Sequence, residues 1–246
     1  MLRVQQLSVN GRRDKLLPAT SLQVRRGELL LVSGSRQDQR TALALALSGR
    51  LKPSGGHFEW DGAEWDGGAR IRTLRQASAV VDSPGVNEPE PHLSVRDLVT
   101  EDLALVPRRY RGSLFSKPWR KVNRFEDIAG LWTEQLPPVR RIGLLTALAL
   151  ANPHTDLLVV DSPDRHGDQE EWLPRLEELA HDGGRPLAVV AAVQSLRRAV
   201  AVAGEDGAVH FFEEADGAAG AVSAFELAVA AGAFTDRELF QKDREA

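Results

Sequence analysis

The sequence contains no cysteine, which excludes disulfide bonds and thiolate metal sites. It has no apolar run of the roughly 18 residues that a membrane-spanning helix needs; the longest runs, 144–151 and 187–193, suit buried core segments. Cations are not in excess, because 31 Lys and Arg face 35 Asp and Glu and the net charge is −4. Such a charge gives no overall attraction to nucleic acid or to an anionic membrane.

What is present is the composition of a soluble globular protein. The 246 residues are 42% hydrophobic and 27% charged, which is enough for one sizeable core. We therefore expect a single domain over 1–246. Residues 1–8 lack the apolar core of a secretory signal, so we expect a cytoplasmic protein that reaches the inner face of a membrane only through a partner.

The hydrophobic pattern predicts an α/β fold. An apolar strand over 28–33 is followed by Gly34 and a helix over 41–51, the layout of a phosphate-binding loop. Further strands are predicted over 2–9, 20–24, 57–60, 77–81, 157–160, 186–193 and 209–213. Further helices are predicted over 94–105, 123–132, 140–151, 170–180, 195–203, 223–231 and 236–240. This alternation favours a mainly parallel sheet, with antiparallel strands at the N-terminus and a helical subdomain over about 96–151.

Several segments resemble the ATP-binding subunit of ABC transporters in order and spacing, over roughly residues 2–215. They are Arg26-Gly-Glu-Leu-Leu-Leu-Val-Ser-Gly34, residues 43–51, Lys52-Pro-Ser-Gly-Gly56, Trp60-Asp-Gly62, His92-Leu-Ser-Val-Arg-Asp-Leu98 and the Walker B-like Leu157-Leu-Val-Val-Asp-Ser-Pro163. The resemblance implies a P-loop NTPase-like ABC ATPase fold. It also implies a role in transport and pairing with another domain of the same type.

The phosphate loop departs from the family pattern. The family has G-x-x-G-x-G-K-[ST], and this chain has Gly34-Ser-Arg-Gln-Asp-Gln-Arg-Thr41. By resemblance, any nucleotide would contact Gly34, Ser35, Arg36, Gln37, Asp38, Gln39, Arg40, Thr41 and Ala42, and any Mg²⁺ would contact Thr41 and Asp161. Glutamines in place of two glycines predict a strained or reshaped loop. Asp38 would repel a polyanion unless Arg36 compensates it, so ATP and Mg²⁺ are expected to bind weakly or not at all.

Plain structural roles remain open for the same residues. Thr41 fits the first turn of a helix, and Asp161 fits the cap of a strand. Arg40, at the lysine position, could bind an anion or form an ion pair with Asp38 or Asp161, but its planar guanidinium does not replace a compact ammonium without loss.

The remaining family positions have lost their chemistry. Ser162 stands where the resemblance places the glutamate that polarises water, and Val193, or Gln194, stands at the histidine position. Asp82 replaces a glutamine, and no aromatic residue for adenine stacking lies within 9–12. The signature sequence is replaced by Gln135-Leu-Pro-Pro-Val139, whose prolines have no N–H to donate to a phosphate. Since both halves of a shared site are damaged, pairing would leave two impaired sites.

A basic stretch over 108–124 stands out from the acidic whole. It contains no acidic residue, and its candidate partner-contact residues are Arg108, Arg109, Arg111, Lys117, Trp119, Arg120, Lys121 and Arg124. A solvated loop and a contact with a membrane protein or anionic headgroups both fit this pattern. Nucleic-acid binding is not expected, because no recognised module surrounds the stretch.

The sequence therefore predicts a degenerate ABC-type subunit with little or no ATPase activity. Its expected role is that of a docking or regulatory partner of an integral membrane protein. Two alternatives remain open: a divergent ATPase that powers transport through Arg40, Thr41 and Asp161, and a soluble scaffold without a transporter.

Overall fold

The computed structural model describes residues 1–64, 69–111, 115–181 and 184–194, and two short strands at 208–211 and 225–228. The strands are β1 (Leu2–Asn10), β2 (Lys15–Val24), β3 (Leu29–Ser33), β4 (Gly55–Trp60), β5 (Ala63–Glu64), β6 (Ser78–Val81), β7 (Leu157–Asp161), β8 (Ala188–Val193), β9 (Ala208–Phe211) and β10 (Phe225–Ala228). The helices are α1 (Gln37–Leu47), α2 (Ala69–Ala77), α3 (Val95–Leu105), α4 (Arg108–Arg111), α5 (Ser116–Val122), α6 (Pro138–Ala149) and α7 (Gln169–His181).

The strands form two sheets. One is antiparallel with the order β2-β1-β4-β5, and the other has the order β10-β9-β3-β8-β7-β6. In the second sheet β9, β3, β8, β7 and β6 are parallel neighbours, and only β10 is antiparallel to its neighbour. The predicted mainly parallel sheet and the N-terminal antiparallel strands are therefore confirmed.

The central strands bury both of their faces. Alternate residues of a strand point to opposite sides, so Leu30 and Val32 of β3 join a core shared with the antiparallel sheet and α1. Leu29 and Leu31 of the same strand join a second core that is covered by α3, α6 and α7. This double burial explains why residues 29–32 of β3 and 157–160 of β7 are all apolar.

The helical subdomain is built on α3, α5 and α6. Its interior includes Trp119 of α5, which stacks on Phe125 with ring centroids 5.9 Å apart. The predicted helix over 123–132 is wrong: those residues form turns, and Arg124 has a left-handed φ of 61°. Helices α2, α4 and α5 were not predicted, because short helices carry little periodic signal.

Several other predicted boundaries shift. Helix α1 begins at Gln37 rather than at residue 41, and α6 begins at Pro138 rather than at residue 140. The predicted helix over 223–231 is wrong where the structure describes it, because residues 225–228 form β10. The helices predicted over 195–203 and 236–240 lie outside the described residues. Within the described part of the chain, no helix is long and apolar enough to cross a membrane.

The close packing of the antiparallel sheet can be tested at Gly56, with Gly62 as a control. Gly56 has φ +96°, and a Cβ added there would lie 2.4 Å from the carbonyl oxygen of Gln6. Gly56→Ala should lower the free energy of unfolding by about 3 kcal/mol, which combines left-handed backbone strain with a main-chain clash.

Gly62→Ala is the matched control, because Gly62 has φ +78° with nothing within 4 Å of its added Cβ. Its expected loss in urea unfolding is about 1 kcal/mol. Equal losses for the two variants would contradict the predicted clash at Gly56.

Candidate functional site

The candidate site lies where β3, β7 and β8 end, beside the N-terminus of α1. The amide of Gly34 donates to the carbonyl of Val193 (2.8 Å), and the amide of Ser162 donates to the carbonyl of Ala192 (2.7 Å). These bonds hold the segments after β3 and β7 against β8. Because parallel strands end at one edge of the sheet, Gly34, Asp161 and Ser162 meet there.

The loop between β3 and α1 is shorter than a phosphate loop. The helix begins at Gln37, and no residue from Gly34 to Thr41 has a positive φ. Of the two expected outcomes, strain or a different shape, the structure has the second. The glutamines in place of glycine have joined the helix instead of bending around a ligand.

Arg40 occupies the interior of this loop and is 6% exposed. Its Nη1 donates to the main-chain carbonyls of Gly34 (2.6 Å) and Ser35 (3.1 Å), and its Nε donates to Ser162 Oγ (2.8 Å). Burial lowers the pKa of Arg40, while the charges of Asp164 and Asp161 oppose that effect. Of the two roles left open for Arg40, a direct ion pair with Asp38 or Asp161 does not form: its hydrogen-bond partners among the described residues are two carbonyls, a hydroxyl and an amide oxygen.

Gln37 links Arg40 to the end of β7. Its Oε1 accepts from Arg40 Nη2 (2.7 Å). Its Nε2 lies within hydrogen-bond distance of Thr41 Oγ1 (3.1 Å), Asp161 Oδ1 (3.1 Å) and Ser162 Oγ (3.0 Å). The amide therefore crosses from the first turn of α1 to the strand end.

Asp161 is fully buried, and four donors surround its carboxylate. Oδ1 accepts from Gln37 Nε2 and from Ser162 Oγ (2.8 Å), and Oδ2 accepts from Thr41 Oγ1 (2.7 Å) and Ser83 Oγ (2.6 Å). A carboxylate offers about four lone-pair positions, so these bonds use its full capacity. Thr41 and Asp161 do meet, as Mg²⁺ coordination would require, but here they bond to each other.

The N-terminus of α1 receives an anion from the chain itself. Arg36 donates to both oxygens of Asp38 (3.0 and 2.5 Å), and Asp38 Oδ1 accepts from the amide of Gln39 (3.0 Å). The hydrogen bonds from Arg36 lower the pKa of Asp38. The predicted compensation of Asp38 by Arg36 is confirmed. A negative charge is thus present at the positive end of the helix dipole.

The overall fold of this chain matches the folds of solved cassettes. The chain has the ABC ATPase fold. The cbiO1 protein of Clostridium perfringens, part of the ABC transporter complex cbiONQ, matches with a TM-score of 0.61 at 18% identity, over 85% of this chain and 83% of that chain. The dimeric bacterial ABC transporter cassette MJ0796 matches with a TM-score of 0.59 at 18% identity, over 86% and 94% of the two chains.

A post-hydrolysis form of the MJ0796 cassette, bound to ADP and Pi, matches with a TM-score of 0.59 at 19% identity and the same coverage. No family model matches this chain. No curated protein matches its sequence. At these identities, the solved structures establish the fold of the cassette.

The resemblance links Ser162 and Val193, or Gln194, to the family's catalytic positions, and of these Ser162 and Val193 are buried. Ser162 is fully buried with a left-handed φ of 56°, and its hydroxyl donates to Asp161 rather than facing a cavity. The Val193 side chain is fully buried at the end of β8. Gln194 is exposed, and its main-chain amide donates to the Asp164 carboxylate (2.7 Å). Neither Ser162 nor Val193 carries a side chain that can act as a general base.

Asp82 anchors an ion network between the sheet and the helical subdomain. It is 4% exposed, and Arg141 of α6 donates to both of its oxygens (2.9 and 2.7 Å). His166 Nε2 lies 3.0 Å from the same carboxylate, and Arg165 donates to the Asp82 carbonyl (2.7 Å). Burial alone would raise the pKa of Asp82, but His166 and Arg141 outweigh it, and the pKa lies well below its ordinary value.

Asp82, Glu88 and His166 bring potential metal ligands within 4.8 Å of one another. The two carboxylates already have cationic partners, because Arg141 pairs with Asp82 and Arg165 pairs with Glu88 (2.8 Å). The arrangement is that of an ion-pair network, in which a divalent cation would have to compete with two guanidinium groups.

The region of the signature sequence is a helix start that opens with two prolines. Pro137 is the N-cap of α6 and Pro138 its first residue. The Pro137 carbonyl accepts from the amides of Arg140 and Arg141 (both 2.9 Å). A Cβ added to Gly167 would lie 2.6 Å from Pro138 Cγ, so the segment after β7 packs against this proline.

The basic stretch divides into exposed and buried parts. Arg108, Arg109, Lys117, Lys121 and Arg124 are exposed. Two predicted contact residues are wrong: Trp119 packs in the core of the subdomain, and Arg120 is 4% exposed beside Glu126 (3.4 Å). The side chain of Arg111 lies outside what the structure describes.

Sequence reasoning missed two partners of the site. Ser83 donates to Asp161 although nothing in the sequence around it points to that role. Arg141 pairs with Asp82, and here a signal exists, since an acidic residue in place of glutamine requires a cation once it is buried.

The Asp82–Arg141 pair gives a pH prediction. Asp82→Asn should lower the free energy of unfolding at pH 7 by about 3–5 kcal/mol, because it leaves the Arg141 guanidinium buried and unpaired. A depressed folded-state pKa stabilises the fold above the unfolded value of about 3.9, and this contribution is lost as the pH falls. The gap between wild type and variant should therefore narrow progressively below about pH 4.

Asp61→Asn serves as the control in chemical unfolding across pH. The pKa of Asp61 is also lowered by Arg26, but both side chains are more than a third exposed. We expect a loss of at most about 1 kcal/mol at Asp61. A gap for Asp82→Asn that stays constant from pH 7 to pH 2 would contradict the assignment.

Proposed function

We propose that this chain is a cassette subunit that does not turn over ATP and serves as a docking or regulatory partner of an integral membrane protein at the cytoplasmic face. The observation that carries the proposal is the closed hydrogen-bond network of Gln37, Arg40, Asp161 and Ser162. The network occupies the place where a cassette of this fold would hold a triphosphate.

Nucleotide binding would require this network to open. Carbonyl oxygens of Gly34 and Ser35 face Arg40, whereas phosphate binding uses inward-facing amides. The anion position at the start of α1 already holds Asp38. A triphosphate would therefore meet carbonyl oxygens and a carboxylate before it gained any favourable contact.

Hydrolysis lacks its general base. Ser162 has no carboxylate to offer, and its hydroxyl is bonded to Asp161 and Arg40. Val193 offers no polar atom at all. Neither of these two positions therefore offers a group that could activate water beside a loosely bound nucleotide.

The docking role is supported by a cleft between the sheet and the helical subdomain. The cleft encloses about 300 Å³, and apolar side chains of Val81, Leu105 and Leu145 line it. Leu105 is 79% exposed, and the exposed cations Arg108 and Arg109 follow it along the chain. We assign the partner contact to this part of the surface, where an exposed apolar side chain, two exposed cations and the cleft lie together.

Titration with Mg-ATP tests catalytic silence. We expect no saturable binding of nucleotide at millimolar concentration. We also expect no ATP hydrolysis that depends on Asp161, tested with Asp161→Asn, because four donors already occupy the Asp161 carboxylate. A cassette with an intact glycine-rich loop serves as the positive control. Saturable binding with hydrolysis that disappears in Asp161→Asn would instead favour the divergent ATPase.

Co-purification from detergent-solubilised membranes of the source cells tests the docking role. A multi-span membrane protein should co-purify, and Leu105→Ser with Arg108→Gln and Arg109→Gln should reduce its yield about tenfold or more. Arg12→Gln with Arg13→Gln, which changes exposed cations on the β1–β2 turn, should leave the yield unchanged. Recovery of the chain without any membrane protein would favour the soluble scaffold.

A further inference from the structure

Helix α5 has one face fixed in the fold and one face open to solvent. Trp119 and Arg120 are buried, and the Ser116 hydroxyl bonds to the main chain of α3 at Arg96 (3.4 Å). Phe115 and Val122 are 69% and 80% exposed. The buried face therefore holds the helix in one orientation while large apolar groups point outward.

The outward face has an amphipathic pattern. Phe115, Pro118 and Val122 follow a spacing of three and then four residues, which places them along one line of the helix. Lys117 and Lys121, four residues apart, form the adjoining line. All five residues are exposed. An apolar line flanked by lysines is the pattern of a helix that lies in a membrane interface.

The cations on this face are not neutralised by the fold. Among the residues that the structure describes, no carboxylate pairs with Lys117, Lys121 or Arg124. The nearby acidic residues already have partners inside the subdomain: Glu126 pairs with Arg120 (3.4 Å) and Asp127 with Arg140 (2.5 Å). A local positive surface thus exists on a chain whose net charge is −4.

We propose that the outward face of α5, formed by Phe115, Lys117, Pro118, Lys121 and Val122 with Arg124 beside it, binds directly to the surface of an anionic lipid bilayer. The apolar line would enter the interface between headgroups and acyl chains. The three cations would lie at the level of the negatively charged headgroups.

Charge and shape favour a bilayer over a folded protein. The face belongs to a short helix of seven residues, and none of its residues lines the cleft described above. Its cations project without fixed acceptors, which suits a fluid surface of many anions. The proposal goes beyond the docking role above, because it requires lipid alone and no protein partner.

Co-sedimentation of the full-length chain with vesicles tests the proposal. Vesicles of phosphatidylglycerol mixed with phosphatidylcholine should bind the protein at low ionic strength, and pure phosphatidylcholine vesicles should bind it much less. Lys117→Gln with Lys121→Gln and Arg124→Gln should weaken binding on the order of a hundredfold, at about fivefold for each cation. Phe115→Ser with Val122→Ser should also weaken vesicle binding, but the binding that remains should still fall with rising salt concentration.

The matched control is Arg12→Gln with Arg13→Gln and Lys15→Gln, which removes the same charge from exposed positions at the β1–β2 turn of the antiparallel sheet. Unchanged binding in this variant supports the assignment to α5. Equal loss in the control, equal binding to both kinds of vesicle, or binding only to membranes that contain a protein partner would overturn it.

Circular dichroism of each variant separates loss of binding from loss of folding. A positive vesicle result with no co-purified membrane protein would overturn the docking role and leave this proposal standing.

Discussion

Asp161 lies at the carboxyl end of β7, fully buried, with a donor at each of its four lone-pair positions. A buried carboxylate that lacked these donors would be strongly destabilising, because its lost hydration would have no replacement. Here Thr41, Ser83, Ser162 and Gln37 supply that replacement. The position of α1, the shape of the loop and the direction of Arg40 all depend on this one carboxylate.

The substitutions in the loop make sense as a set. Gln37 is long enough to reach both Asp161 and Arg40, and a glycine at that position would remove the link between them. Arg40 can satisfy four acceptors at once because its guanidinium presents several donors in one plane. The side chains of this loop thus stabilise it through contacts with one another.

Much of the fold could be predicted, because apolar strands such as β3 and β7 have an unambiguous pattern and their order matches a well-marked resemblance. The elements that were missed, α2, α4 and α5, are short and depend on tertiary contacts such as Trp119 on Phe125. The site was predicted by position but not by contact. The sequence places Gln37, Arg40 and Asp161 in one region, yet only the structure shows that they bond to each other. Arg120 illustrates the limit, since a basic stretch does not reveal which of its cations points inward.

The pairing of Asp82 with Arg141 has a mechanical consequence. Asp82 directly follows β6 of the sheet and Arg141 lies in the first turn of α6, so the ion pair joins the two parts of the molecule at a buried point. Any rotation of the helical subdomain away from the sheet would strip both charges of their partner in a poorly hydrated place, at a cost of several kcal/mol. A force applied to the surface of the helical subdomain should therefore move the subdomain and the sheet together, because the ion pair opposes hinge motion between them.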